Sequence, residues 1–415
     1  MKVRKLILTV IAAAAALMLI GCQELTMRLQ SPSKPIHAKI KEISAFSRNA
    51  MALTESGELY SWGANSLGEI GNGKGGYQEN EAHSWLCEPI PVKVLEGVKY
   101  AKAGEMSSCM ITENGDLYVC GLLPLEESDR EKKKPYKIMG KVKHATSLLL
   151  ILMAVTEDGD LYAWGGTIYG CLSQYSGEEG GLIYQRKIMS GVQSVAVGTN
   201  HALALMENGD LYAWGWNDMG QIGNGSTSNE SEALYPPVKI MSDIRDIGSD
   251  CNTSLAITTG GDLYMWGDTF WGQVGSGKSG YLGENGEESV FDVYETRPVK
   301  VLSGVRCAST GSTHTVAVTE NGDLYMWGAN IYGQFGNGKR ERQLYKTPVR
   351  IMSGVKSAAA GFDFTIVLME DGKVYTCGGN DCGQLGNGKH GDGDCLSILD
   401  WEIETRPVLI FDGRE

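Results

Sequence analysis

Common signatures of catalysis are missing from this chain of 415 residues. It contains only 6 histidines, and it has no Gly-x-Ser-x-Gly elbow, no His-Glu-x-x-His motif and no cysteines spaced Cys-x-x-Cys. Those patterns carry the serine nucleophile, the metalloprotease zinc and many structural zinc sites. We therefore predict a protein that is not an enzyme, with no catalytic residues, no metal and no cofactor.

Positive charge is also in short supply. Lys and Arg number 37 against 50 Asp and Glu, so the formal net charge is −13. Proteins bind nucleic acid largely by neutralising phosphates with a basic face. The acidic balance predicts no nucleic-acid partner, and it fits a soluble acidic surface or a cationic partner.

The longest apolar run, Leu6 to Leu19, is too short to span a bilayer as a helix. It follows three basic residues and suits the core of a secretory signal peptide. It ends in Leu19-Ile20-Gly21-Cys22, which resembles the lipobox of bacterial lipoproteins. The resemblance implies cleavage before Cys22 and acyl chains, such as palmitate, on that cysteine. The alternative is an ordinary signal peptide with a chance cysteine.

The N-terminal region thus predicts two segments before the folded domain. Residues 1–21 are a lipoprotein signal peptide, and residues 22–39, with Ser31-Pro32-Ser33, are a lipidated flexible tether. Two or three acyl chains on Cys22 would hold the protein firmly, since one chain alone binds marginally. We expect an extracytoplasmic protein anchored through lipid to a bacterial membrane.

At least one cysteine beyond Cys22 is expected to be free or to pair with another molecule. Apart from Cys22 there are nine cysteines, and an odd number cannot all pair. Cys120 and Cys377 stand where the corresponding segments of the chain carry tryptophan. That position predicts core packing.

Glycine, in contrast, is abundant, with 55 residues, and its spacing reveals an internal repeat. A core of the form Gly-Asp-Leu-Tyr-x-Trp-Gly recurs, with small changes, at successive spacings of 58, 44, 50, 52, 61 and 50 residues. A period near 50 indicates a repeat architecture. The cores begin at Gly57, Gly115, Gly159, Gly209, Gly261, Gly322 and Gly372.

Each repeat predicts four short strands. Apolar pieces such as Val192 to Val197 and Leu211 to Trp214 are bounded by turn residues, as in β-strands. The dipeptide that includes the core glycine, for example Asn208-Gly209, is typical of a tight hairpin with positive φ at both central positions. Seven four-stranded antiparallel sheets that cover one another's faces form an all-β seven-bladed propeller.

The loop after each core carries a family resemblance. Gly328-Ala329-Asn330-Ile331-Tyr332-Gly333-Gln334-Phe335-Gly336 resembles the repeat named for the regulator of chromosome condensation. The resemblance covers residues 40–413 and implies seven blades, with the two ends meeting to close the ring. The histidine frequent in that family survives only as His201 and His314, for which we predict buried hydrogen-bonding roles.

The two residues before the second loop glycine suggest a binding surface. Equivalent propeller loops fall on one face, so their aromatic and aliphatic side chains could form a ring of the kind enriched at interface centres. The alternative is that they pack on the next blade. A second candidate surface comprises the polar insertions 74–88, 226–235, 278–296 and 389–405. The predicted partner-binding residues are Tyr169, Trp216, Met219, Phe270, Trp271 and Tyr332.

Together these features predict an exported, lipid-anchored, monomeric propeller that serves as a binding or scaffold module for a protein or another cell-surface partner. Carbohydrate or peptidoglycan binding is the alternative, and a hydrolase is a more distant one. The nucleotide exchange on a nuclear GTPase known for the family's namesake is not carried over, because the lipobox predicts a location outside the cytoplasm.

Overall fold

A computed structural model describes residues 35–75, 86–123, 131–166, 170–173, 182–228, 235–280, 293–391 and 402–414. It contains seven four-stranded antiparallel sheets, each built from four strands consecutive in sequence. One short helix, α1 (Gly170–Ser173), lies among these residues. The prediction of a seven-bladed propeller with four-stranded antiparallel blades is confirmed.

The strands are numbered in chain order, four to a blade. Blades one to four comprise β1 (Ile40–Phe46), β2 (Asn49–Thr54), β3 (Leu59–Ala64), β4 (Cys87–Leu95); β5 (Val98–Lys102), β6 (Ser107–Thr112), β7 (Leu117–Leu122), β8 (Glu131–Met139); β9 (Val142–Leu148), β10 (Ile151–Thr156), β11 (Leu161–Gly166), β12 (Leu182–Met189); β13 (Val192–Val197), β14 (His201–Met206), β15 (Leu211–Gly215) and β16 (Tyr235–Met241). Blades five to seven comprise β17 (Ile244–Asp250), β18 (Thr253–Thr258), β19 (Leu263–Asp268), β20 (Tyr294–Leu302); β21 (Val305–Thr310), β22 (His314–Thr319), β23 (Leu324–Asn330), β24 (Glu341–Met352); β25 (Val355–Ala360), β26 (Phe364–Met369), β27 (Lys373–Gly379) and β28 (Ile403–Asp412).

The first strand of each blade faces the central axis, because residues of six of these strands line one axial cavity. We call the four strands inner, second, third and outer. The turn between the inner and second strands and the loop between the third and outer strands lie on the same side of the ring. We call this side the loop face. The opposite side, which carries the hairpin between the second and third strands, is the hairpin face.

The hairpins are correctly placed by the sequence, but their predicted geometry is wrong. Only the glycine has positive φ, for example 83° at Gly57 and 83° at Gly209, and the residue before it does not. Thr54 N donates to Glu58 O and Gly57 N donates to Thr54 O. The turn is therefore longer than the predicted two-residue hairpin, and it needs left-handed backbone at a single position.

Neighbouring blades are joined by a repeated buried hydrogen bond. The third-strand tryptophan donates its indole N–H to the backbone oxygen of the loop in the preceding blade, as in Trp266 Nε1 to Gln221 O at 2.9 Å. Cys120 and Cys377, in the same position, direct Sγ at Glu69 O and Gln334 O at 3.2 and 3.3 Å. Their prediction as core residues is confirmed, since both side chains are buried.

The same contact closes the ring. Trp62 Nε1 of blade one donates to Gln384 O of blade seven at 2.9 Å. The chain before β1 adds to this closure, because Ile36 forms a parallel bridge with Phe411 of the last strand and Ala38 is buried. The predicted tether of residues 22–39 therefore extends too far, since its last residues pack against blade seven. Cys22 and the predicted signal peptide lie outside the described residues.

The hairpin face carries a regular set of ion pairs. In six blades an outer-strand Lys or Arg pairs with an acidic residue just after the hairpin glycine, as in Lys239 Nζ and Asp210 Oδ1 at 2.8 Å. These exposed pairs contribute little stability individually. They do leave the hairpin face locally neutralised. Within the described residues, no helix has the length and apolar character needed to cross a membrane.

Candidate functional site: the loop face

Polar side chains within each loop hold the loop face rigid. In blade four, Asn217 Oδ1 accepts from Ile222 N at 3.0 Å, and Gln221 Oε1 accepts from Met219 N at 2.9 Å. Blades six and seven repeat both contacts with their own Asn and Gln. The loop motif is therefore structural, and it fixes the backbone on which the two variable residues sit.

The loop glycines allow the next blade to approach closely. A Cβ on Gly386 would lie 2.8 Å from Trp62 Nε1, and one on Gly275 would lie 2.6 Å from Trp327 Nε1. Because these glycines also have positive φ, a larger residue would both clash and strain the backbone. The loops are thus clamped to the third strand of the following blade.

The described predicted anchors lie on these loops of blades four to six. Trp216, Met219, Phe270, Trp271 and Tyr332 are all half-buried. The rings of Phe270 and Trp271 meet edge to face, with centroids 5.1 Å apart. Such side chains offer apolar area on a rigid support and remain partly open to solvent.

The anchors do not extend around the whole ring. Cys382, at the matching position of blade seven, is fully buried, and blade one carries Ser66 and Leu67 there, without an aromatic ring. Tyr169 of blade three lies outside the described residues, as do most of the polar insertions predicted as a second surface. The aromatic surface that the structure describes is therefore an arc over blades four to six.

At one end of this arc lies a charged group that the sequence did not reveal. Arg48, in the first turn of blade one, pairs through Nε with Asp381 Oδ2 of blade seven at 2.7 Å. Its guanidinium also lies 5.5 Å from the ring centroid of Phe362, which is 36% exposed. Burial raises the pKa of Tyr332, and the negative charge of Asp363 adds to that effect.

Two buried carboxyls stand at the centre of the loop face. Asp250, at the end of an inner strand, is 2% exposed, and Asp363, in the turn of blade seven, is 3% exposed. Burial raises the pKa of Asp250 to about 7 and that of Asp363 to about 8. Glu105 lies in the corresponding turn of blade two. Burial raises the pKa of Glu105, while the positive charge of Arg48 opposes the shift.

Around the central axis, the inner strands enclose a cavity of about 160 Å³. Lys102, His144 and Asp246 are among its lining residues. Burial, with the charge of Lys102, lowers the pKa of His144 to about 3, so its ring is neutral. His144 Nδ1 accepts from Val195 N at 3.5 Å and Nε2 meets the Tyr100 hydroxyl at 3.2 Å, so both nitrogens are bonded within the ring of inner strands.

The two family histidines join adjacent blades. His201 Nε2 lies 2.8 Å from Ser254 Oγ, and His314 Nε2 lies 2.9 Å from Thr365 Oγ1. Both rings are fully buried, and burial lowers each pKa to about 3. Their prediction as buried hydrogen-bonding residues is confirmed.

Other possible chemical sites find little support in the described ranges. No group of three His, Cys, Asp or Glu side chains there could hold a metal ion. Residues 272–279 do fit the Gly-x-x-x-x-Gly-Lys-Ser pattern of phosphate-binding loops. However, Gly275 N donates to Gly272 O and Gly277 N to Lys346 O, so amides that would hold phosphate are already engaged.

Comparison with known proteins agrees with this geometry. A model described as the regulator of chromosome condensation (RCC1) repeat matches residues 56–111, 208–257 and 321–368. A second model of the same repeat matches residues 192–221, 305–334 and 355–384. The chain carries RCC1 repeats. The family resemblance of the loop motif is thereby confirmed for this propeller.

Two relatives share the RCC1-type region. The ultraviolet-B receptor UVR8 of Arabidopsis thaliana is 30% identical over 316 residues, which cover 74% of this chain and 57% of the receptor. The E3 ubiquitin-protein ligase HERC2 of Homo sapiens is 27% identical over 319 residues, which cover 73% of this chain and 5% of the ligase. The chain covers only part of the length of each relative. The activity of the whole relative therefore cannot be assigned to this chain by similarity.

Solved structures support the same fold. The structure of Prp20p from Saccharomyces cerevisiae, described with its binding properties to Gsp1p and histones, has a TM-score of 0.61 at 23% identity and covers 79% of this chain and 82% of that chain. Human WBSCR16 has a TM-score of 0.65 at 18% identity, covering 86% of this chain and 94% of that chain. At these identities the likeness concerns the fold alone.

Proposed function

We propose that this RCC1-repeat propeller is an exported, lipid-anchored module that binds a protein partner on its loop face. The observation that carries the proposal is the arc of half-buried aromatic side chains on loops that are clamped by buried Asn and Gln hydrogen bonds. Rigid aromatic anchors bind with little ordering cost. The opposite face carries paired charges beside the hairpins of six blades.

Truncation of the anchor side chains should prevent binding of the partner but change the stability of the protein little. Trp271→Ala and Tyr332→Ala should each lower the unfolding free energy by less than about 1 kcal/mol, because these side chains are only half-buried. Each should abolish recovery of the partner from the producing cell's own surface proteins, measured by pull-down with the full-length chain and mass spectrometry. Tyr184→Ala is the matched control, since Tyr184 is a 51% exposed aromatic on an outer strand.

Retention of the same proteins by both loop-face variants would exclude the loop face as the binding surface. A large loss of stability would instead identify these side chains as packing between blades. Carbohydrate binding by the same aromatic arc is the alternative function. A glycan array distinguishes the two, because saturable sugar binding lost in Trp271→Ala would contradict a protein-only ligand.

The lipid anchor has its own test. Cys22→Ser should eliminate incorporation of labelled palmitate and the corresponding mass, because serine offers no sulfur for the diacylglyceryl group that the lipobox implies. Cys307→Ser, which removes a thiol from an inner strand, should leave the label unchanged. Persistent labelling of the Cys22 variant would show that the acyl group, if any, is attached elsewhere.

A further inference from the structure

The axial cavity contains two charged side chains from different sides of the ring. Lys102 on β5 and Asp246 on β17 both line it, and they belong to blades two and five. His144 lines the cavity as well, but its ring is neutral because burial lowers its pKa to about 3. Among the described lining residues, Lys102 and Asp246 are therefore the only charged ones.

Neither of these charged groups has a counter-ion within the described ranges. Lys102 is exposed, and its Nζ forms no ion pair and donates no hydrogen bond there. Asp246 Oδ1 accepts from Ile247 N at 2.9 Å, which is the only hydrogen bond of that carboxylate in the same ranges. The neighbouring Arg245 is directed away, because its guanidinium donates to backbone carbonyl oxygens of blade six. The cavity thus offers both a cation and an anion to a ligand.

The spacing of the two groups leaves room for a molecule between them. Lys102 and Asp246 form no ion pair with each other, so their charged atoms lie more than 4.0 Å apart. Lys102 is the fifth residue of its strand and Asp246 is the third. Because the inner strands all run from the hairpin face to the loop face, these positions differ along the axis by roughly 6–7 Å.

A hydroxyl group lies at the same level as Lys102. Ser309 is the fifth residue of β21 and also lines the cavity. Its Oγ accepts from Ala360 N at 3.2 Å, and this leaves the hydroxyl hydrogen available to a ligand. One level of the cavity therefore presents donors, from Lys102 and Ser309, and the other presents the carboxylate acceptor of Asp246.

The size and the charges of the cavity together define the ligand. Its volume of about 160 Å³ is close to the roughly 150 Å³ of an engineered cavity that binds benzene. A ligand with a single charge would leave the opposite group of the cavity unpaired, which is unfavourable in a partly desolvated site. Burial raises the pKa of Asp246 while the charge of Lys102 opposes the rise, so a bound ammonium group would further favour the ionised carboxylate.

We infer that the axial cavity binds a small zwitterion of the α-amino acid class, with Lys102 and Ser309 contacting its carboxylate and Asp246 its ammonium group. Alanine, for example, has as many non-hydrogen atoms as benzene and carries both charges. This site is separate from the aromatic arc, and it adds a small-molecule ligand to the proposed protein-binding function.

The first test compares three molecules of equal size, titrated into the full-length chain in detergent at pH 7 and followed by calorimetry. L-Alanine carries both charges, L-lactate has a hydroxyl in place of the ammonium group, and L-alaninamide has an amide in place of the carboxylate. Alanine should bind saturably. Lactate and alaninamide should each bind roughly 10-fold or more weakly, as expected when a hydrogen bond to a charged group is lost.

Variants of the lining residues then locate the site. Lys102→Met removes the positive charge and keeps a long side chain, and Asp246→Asn removes the negative charge at nearly constant shape. Each should weaken alanine binding by roughly 10-fold or more. Lys356→Met is the matched control, because Lys356 lies on the inner strand of blade seven but is not among the residues that line the cavity. It should change the alanine affinity less than about twofold.

Several results would overturn the inference. Equal binding of lactate would show a simple anion site, and equal binding of alaninamide would show a simple cation site. Absence of saturable alanine binding, or alanine binding that persists in both lining variants, would contradict the site itself. If Asp246→Asn is not folded, Lys102→Met and the ranking of the three ligands on the wild-type chain still decide. Partner capture by the loop face is measured separately, so failure of the cavity site leaves the proposed function standing.

Discussion

Trp62→Ala is expected to lower the free energy of unfolding by about 3–5 kcal/mol, the range for truncating a buried aromatic side chain to alanine. Trp62 is fully buried between blades one and seven, where it packs near Phe411, with ring centroids 6.0 Å apart. The substitution also leaves Gln384 O without the indole N–H that it accepts at 2.9 Å. The loss should be measured by urea denaturation followed by circular dichroism.

Trp62→Ala should lower the free energy of unfolding more than truncation of an equally large aromatic residue elsewhere. Trp216→Ala is the matched control, because Trp216 is half-buried on a loop and lies at no blade junction of this kind. Trp62→Cys should be less damaging than alanine, since Cys120 and Cys377 direct their sulfur at the same carbonyl in their own blades. A loss below about 1 kcal/mol for Trp62→Ala would show that the ring is closed mainly by other contacts, such as the pairing of Ile36 with Phe411.

The fold was predictable because its determinants repeat in sequence. Every blade has a glycine at the hairpin, five have a tryptophan at the third-strand position, and most have glycines where the loop meets the next blade. These requirements are local, so they recur every blade and can be counted. The hairpin geometry was less predictable, because Asn208-Gly209 fits both a two-residue turn and the longer turn that the structure adopts.

The aromatic arc was partly predictable for the same reason. The loop motif marks where variable residues sit, and Trp271 and Tyr332 do lie there, half-buried. The motif does not specify how deeply the side chain at this position is buried. Cys382 occupies the same position yet is fully buried.

The group of charged residues in the loop-face turns was not predictable, because its members share no motif. Arg48, Glu105, Asp250 and Asp363 come from corresponding turns of four blades, where the sequence differs from blade to blade. Only closure of the ring brings them near one axis. The signal that could have found them is a polar or charged residue next to an inner strand that is otherwise small and apolar.

Asp250→Asn is expected to stabilise the protein above pH 7, by up to about 4 kcal/mol, and to change stability little near pH 4. Burial raises the pKa of this carboxyl from 3.8 to about 7, with Glu105 adding to the rise. Between those values the unfolded chain has lost the proton that the folded chain still holds, so wild-type stability falls as pH rises. Asparagine resembles the neutral acid and removes that loss.

The difference between variant and wild type, measured by urea denaturation at several pH values, isolates this one group. His201 and His314 also titrate, because their buried rings have pKa values of about 3 and destabilise the fold as pH falls below 6.5. That effect is common to both proteins and cancels in the difference. Asp210→Asn serves as a control of opposite sign, since its pairing with Lys239 lowers the pKa of Asp210.

A gain in stability at Asp250 would carry a functional meaning. A residue kept as a buried carboxyl group, although a neutral amide of the same shape gives a more stable fold, is retained for something other than folding. Equal stability of the two proteins at every pH would show instead that the charge of Asp250 is compensated within the chain.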